Sequence, residues 1–182
     1  MLVTSDAFVV PLKRFDLAKE RLRAAGIDDV TQRARQMASD VLKSCAPRLV
    51  IVLSESEEIA AFAIRHGVEV WTSTATTLNE AVQGAYADFS TRFERLIVVH
   101  GDLRNPSGLC SFNPEAGVTI VSDHHGTGTN VLVVPTGLDF HFAYGEDSAR
   151  RHAAEAGRLG LAWRVISDSP WRFDVDEPAD LL

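Results

Sequence analysis

Short apolar runs recur at residues 7–12, 49–53, 68–71, 96–99, 118–121, 130–134 and 162–166, and several, such as LVIVL and LIVV, contain no polar residue at all. A strand with one wet face alternates apolar and polar side chains. An unbroken run is apolar on both faces, so both must be covered. This predicts a mainly parallel sheet between two layers of helix. The intervening segments supply the helices. Residues 31–44 carry Ala34, Met37, Ala38, Val41 and Leu42 at three- and four-residue spacing, and residues 55–66 and 78–93 continue the pattern. Gly67 offers a helix stop. After residue 117 two strand-like runs flank the loop HHGTGT, and residues 140–144 lead into a helix at 147–159. No internal repeat, low-complexity tract or linker interrupts the pattern, so residues 1–182 read as one α/β domain.

A chain of 182 residues, 46% apolar and 24% charged, has the make-up of an ordinary globular domain. Such a domain hides roughly 70% of its unfolded surface and needs no covalent staples. Cys45 and Cys110 are too few for a disulfide framework. No run approaches the ~18 apolar residues of a membrane span, and the first residues lack the basic-then-apolar order of a signal peptide. A cytoplasmic protein without membrane contact is the expectation. The net charge of −7 argues against a broad nucleic-acid face. Residues 1–50 carry nine Lys/Arg against six Asp/Glu, whereas residues 51–182 carry nine against nineteen. A basic segment facing an acidic remainder suits an anionic ligand held with metal ions, and it equally suits a solvated surface.

Phosphate loops of the GxxxxGK[ST] type, GxGxxG, HExxH and GxSxG are all missing. His124 and His125 are adjacent, but neighbouring side chains are expected to point apart and to make a poor metal pair. Four segments carry candidate chemistry. Lys13, Arg14, Lys19, Arg21 and Arg23 crowd the stretch after the first strand, at the sheet edge where open α/β folds bind ligands. Lys13 lies two residues beyond Pro11 and is expected to be held there, while a helix could turn Lys19 outward. Arg92 and Arg95 read as solvated charges. Asp102 follows the fourth strand through Gly101, placed either to hold a divalent ion or to form a turn. Asp174 and Asp176 lie two apart, so on an extended segment they point the same way, and Asp176 also suits a helix N-cap. The glycines and threonines from Gly126 to Thr129 could hold an anion or simply close a hairpin. Gly145 and Ser148 open a helix whose N-terminus could hold a second phosphate or carboxylate.

Taken in order, VVPLKRFDLAKERL, DVLKS, LNEAV, HGTGTN, YGEDSARRH and DVDEPADL resemble the 2-phospho-L-lactate and phosphoenolpyruvate guanylyltransferase family over nearly the whole chain. The resemblance implies a three-layer sandwich of the nucleotide-diphospho-sugar transferase type. It implies transfer of GMP from GTP to a phosphorylated three-carbon acid, with release of pyrophosphate, in coenzyme F-420 biosynthesis. It assigns Asp102, Asp174 and Asp176 to magnesium, and Lys13 and Asp102 to catalysis. Lys13, Lys19 and Asn79 fall on the nucleotide side, and Thr129, Gly145 and Ser148 on the acceptor side. A homodimer is compatible with it. The family's Pro-Ala-Asp-Leu-Pro reads His100-Gly101-Asp102-Leu103-Arg104 here, an Asp-Arg pair before the loop reads Asp123-His124, and the glycine before Leu78 is Thr77. A nucleotidyltransferase of the same fold with another acceptor, such as 3-phosphoglycerate, and a non-catalytic nucleotide-binding relative are the alternatives.

Overall fold

The computed structural model describes residues 4–72 and 74–181; residues 1–3, 73 and 182, which the single-domain reading also spans, lie outside the described residues. The described residues form a seven-stranded sheet of order β3-β2-β1-β4-β6-β5-β7. Its strands are β1 (Thr4–Pro11), β2 (Val50–Ser54), β3 (Glu69–Thr72), β4 (Phe93–Val99), β5 (Val118–Ser122), β6 (Thr129–Pro135) and β7 (Trp163–Ile166). Only the pairings of β6 with β4 and β5 are antiparallel. The helices are α1 (Glu20–Ala24), α2 (Val30–Cys45), α3 (Glu57–Arg65), α4 (Leu78–Phe89) and α5 (Ser148–Arg158).

Successive strand residues feed opposite cores, as the two-residue repeat requires. Val10, Val50 and Val52 pack with Ala38, Val41 and Leu42 of α2 and Ile59 and Phe62 of α3. Val9, Ile51 and Leu53 pack with Val82 and Tyr86 of α4 and Ala149 and Ala153 of α5. The sandwich of three layers is therefore present, with two main helices on each face. The expected helix at 78–93 ends earlier, at Phe89, because Phe93 already starts β4; the two rings meet edge to face 5.8 Å apart. Thr77, where the family has glycine, caps α4: its hydroxyl accepts from Glu80 N–H at 3.3 Å while the Glu80 carboxylate accepts from Thr77 N–H at 3.2 Å.

Arg95 is not a solvated charge. Its guanidinium grips the nearly buried Asp6 carboxylate at 2.7 and 3.1 Å, and Arg48 binds the same carboxylate at 2.8 Å. Arg48 and Arg95 also donate to the carbonyls of Phe112 and Pro114 at 2.7 and 2.8 Å. This cluster ties β1 and β4 to the connection between β4 and β5. Removing one member leaves charge buried without its partner, a loss of about 3 kcal/mol. Asp6→Ala is therefore expected to lower the melting temperature by roughly 10 °C in a circular-dichroism melt. Arg92→Ala breaks a largely exposed pair with Glu69 and is expected to cost less than about 1 kcal/mol.

Candidate active site

The strand order reverses at β1, whose neighbours β2 and β4 lie on either side, and ligands bind beyond the carboxyl ends of strands at such a point. A cavity of about 540 Å³ opens there. Lys13 and Lys19 line it after β1, Ser54 at the end of β2, His100 and Asp102 after β4, and Thr129 at the start of β6. Tyr144, Gly145 and Ser148 close another side, and Asp174 and Asp176 complete the rim. Asn79 is not in this wall, nor are Arg14, Arg21 and Arg23 of the basic stretch. The Asn79 amide pins the main chain of Tyr144, accepting from Tyr144 N–H at 2.6 Å and donating to Tyr144 O at 3.1 Å.

The carboxylates meet because the C-terminal segment pairs with the turn after β4. Leu103 and Asp174 form an antiparallel bridge, Arg104 N–H donates to Phe173 O at 2.7 Å, and Val175 N–H donates to Asp102 O at 3.2 Å. Asn130 holds the same segment through the Trp171 and Arg172 carbonyls, both at 3.1 Å. Val175 turns away into a small core with Leu22 and Val30, which leaves Asp174 and Asp176 on the cavity side. Asp176 is not the cap of the last helical turn, Pro178–Leu181. Asp180 takes that task, accepting from the N–H groups of Asp176 and Glu177 at 2.9 and 2.7 Å. The Asp176 carboxylate is thereby left for Lys19.

Lys19, expected to point outward, is the more buried of the two lysines. Its side chain is 7% exposed and its ammonium binds Asp102, with Asp176 at 2.6 Å; Lys13 is exposed on the rim. The backbone explains the difference. Lys19 adopts a left-handed conformation (φ 60°, ψ 47°) just before α1, which reverses the chain and sends the side chain inward. Burial opposes the ammonium, but Asp102 and Asp176 outweigh it and hold its pKa above the ordinary lysine value. Burial would likewise raise the Asp102 carboxyl, yet Lys19, aided by His100, draws it below the usual range. Asp174 has no such partner: burial, with the neighbouring Asp102 and Asp176 charges, pushes it up.

Among the described residues, four buried side-chain atoms lack a hydrogen-bond partner: His100 Nε2, Asp102 Oδ1, His124 Nδ1 and Tyr144 Oη. All four lie in or beside this cavity, where a bound ligand would be expected to complete them. His124 lies 4.0 Å from Asp174, and its ring rests on His125 with centroids 3.7 Å apart, so the two histidines do not point apart. Among the described residues, no group of three or more His, Cys, Asp or Glu side chains is gathered closely enough to hold a metal ion; the Lys19 ammonium stands between Asp102 and Asp176.

Elsewhere in the lining Thr129 and Ser148 are buried, with Ser148 Oγ 3.1 Å from Thr129 Oγ1 and His152 Nδ1 also 3.1 Å from it. Gly145 sits at φ +118°, a backbone few other residues accept. His152 was not among the sequence candidates, although it lies one helical turn after Ser148 and so shares its face.

This fold, with its lysines and aspartates at the switch point, is that of the nucleotidyltransferases. Solved structures agree on the fold: a nucleotidyl transferase from Methanothermobacter thermautotroptrophicus superposes with a TM-score of 0.67 at 13% identity, covering 98% of this chain and 94% of that one. A manganese complex of Rv0371C from Mycobacterium tuberculosis superposes at 0.56 with 17% identity, covering 98% and 96%. The chain belongs to the guanylyl transferase CofC like family, whose model matches residues 7–182, and it is a nucleotidyltransferase enzyme. It is 30% identical to a phosphoenolpyruvate guanylyltransferase of Chloroflexus aggregans over 92% of this chain and 91% of the relative. It is 33% identical to one of Rhodococcus erythropolis over 95% and 87%.

The Lys19 bridge has a measurable consequence. An acid whose folded pKa is depressed adds stability above its unfolded value of about 3.9, and loses it as pH falls through the folded value. In metal-free protein, Asp102 is expected to titrate below that value by carboxyl-carbon NMR. Lys19→Met removes the largest effect opposing burial and should move the midpoint upward; an unmoved midpoint would remove Lys19 as the cause.

Proposed function

We propose that the enzyme transfers GMP from GTP to phosphoenolpyruvate or 2-phospho-L-lactate, releasing pyrophosphate, as a step toward coenzyme F-420. One observation carries this reading: a single cavity is lined both by a lysine-aspartate cluster and by Thr129, Gly145 and Ser148. The first suits a triphosphate, the second a small anion. The relatives' name, phosphoenolpyruvate guanylyltransferase, supports guanylyl transfer and the first of the two acceptors.

The acceptor phosphate oxygen forms a bond to the α-phosphorus of GTP while the bond from that phosphorus to the bridging oxygen of the β-phosphate breaks. That oxygen and its electron pair leave with pyrophosphate. A phosphate monoester has its second pKa near 6, so the nucleophile is already anionic at neutral pH and needs no base. Alignment and charge neutralisation are what remain to be supplied. Lys13, exposed on the rim, is available for the phosphates, and Lys19 would reach them on giving up a carboxylate partner. Although they are not gathered closely enough for a metal ion in this structure, Asp102, Asp174 and Asp176 are the carboxylates that would hold magnesium, a hard ion suited to such oxygens, and the unpartnered Asp102 Oδ1 fits that use. When bound, the ion lends Lewis-acid stabilisation to charge developing on the phosphates. Thr129 and Ser148 orient the acceptor through their hydroxyls, and Gly145 leaves room beside them.

Pyrophosphate release from each of the four nucleoside triphosphates, against a panel of phospho-acids, tests the reading. Turnover is expected with GTP and a three-carbon enol or 2-phosphate; release with 3-phosphoglycerate alone would move the enzyme to another acceptor. Asp102→Asn is expected to remain folded, with a lower melting temperature because Lys19 loses one partner, and to lose metal-dependent turnover by roughly a hundredfold or more, because a neutral amide binds the ion weakly. Near-normal activity at limiting magnesium would overturn the metal role.

A further inference from the structure

The buried imidazole of His152 stands behind the acceptor wall, and its hydrogen bonds fix where protons lie in front of it. Ala143 N–H can only donate, and its partner at 3.0 Å is His152 Nε2. That nitrogen must therefore be bare. Burial pushes the His152 pKa down to about 4, helped by His100 and Arg151 and opposed by Glu155, so the ring is neutral at physiological pH. A neutral ring with a bare Nε2 carries its proton on Nδ1, 3.1 Å from Thr129 Oγ1. Thr129 accordingly accepts from the histidine. Thr129 and Ser148 have one hydroxyl proton each, and the bond between them uses one. The other has no protein acceptor among the hydrogen bonds of the described residues.

The opposite tautomer would reverse this. A bare Nδ1 would take the Thr129 proton, Ser148 would donate to Thr129, and the wall would offer the cavity only lone pairs, which repel an anion. We propose that His152 is a positioning residue that, by donating from Nδ1 to Thr129 Oγ1, leaves one hydroxyl proton of the Thr129–Ser148 pair to bind an anionic oxygen of the acceptor. The inference rests on the reading of that wall as the acceptor side.

Two measurements test it. In protein labelled with ¹⁵N at histidine, long-range proton–nitrogen spectra at neutral pH should show His152 protonated at Nδ1; protonation at Nε2 overturns the proposal without any assay of turnover. In kinetics, His152→Leu is expected to raise the apparent KM for phosphoenolpyruvate roughly ten- to a hundredfold, the size of one lost hydrogen bond to a charged group, with the KM for GTP within about twofold. His152→Asn places an amide donor where Nδ1 stood and is expected to recover most of the loss. Equal changes in both KM values, or an Asn variant no better than Leu, would make His152 a packing residue and overturn the proposal. Wild-type protein inactive on every phospho-acid would count against the proposed reaction instead, and the spectra would still decide the tautomer.

Discussion

The Lys19 ammonium joins three stretches of chain that are far apart in sequence: its own turn before α1, Asp102 after β4 and Asp176 near the C-terminus. Without it, three carboxylates would share one cavity edge with no lysine opposing them, and their mutual repulsion would be costly. The left-handed backbone at Lys19 costs on the order of 1–2 kcal/mol, which the ion pairs to Asp102 and Asp176 help to offset. Arg21 extends the contact through Glu177 at 3.0 Å, so the basic N-terminal segment lies against the acidic end of the chain.

That bridge also sorts the carboxylates. Asp102 stays ionised beside a cation, while Asp174, buried near two anions and 4.0 Å from His124, holds its proton more tightly. Across the cavity the electrostatics are different in kind. Thr129, Ser148 and the neutral His152 bring no net charge, so an anion is held there by oriented hydrogen bonds rather than by opposite charge. The two walls thus suit two different anions, one polyvalent and one small.

The sheet was readable from the sequence because the runs at 49–53, 96–99 and 130–134 have no polar face to leave in water. The site was readable as a set of segments, since Asp102, Thr129, Gly145, Ser148, Asp174 and Asp176 all sit at strand ends or helix starts that periodicity marks. What failed were side-chain directions. A left-handed Lys19, an Arg95 drawn onto Asp6 and an Asp180 that takes the N–H groups ahead of the last turn all depend on partners 3 to 157 residues away. His152 was not singled out from the sequence, because its task comes from Ala143 and Thr129, which the sequence does not place beside it.

The central claim is that an oxygen of the acceptor phosphate becomes the bridge to the α-phosphorus of GTP. Phosphoenolpyruvate carrying ¹⁸O on its phosphate, incubated with GTP, magnesium and the enzyme, tests this by phosphorus NMR and mass spectrometry. The account predicts a product with two coupled phosphorus signals, ¹⁸O in the bridge, and pyrophosphate free of label. Label in released phosphate or pyrophosphate, or a product without a phosphorus–oxygen–phosphorus link, would contradict it.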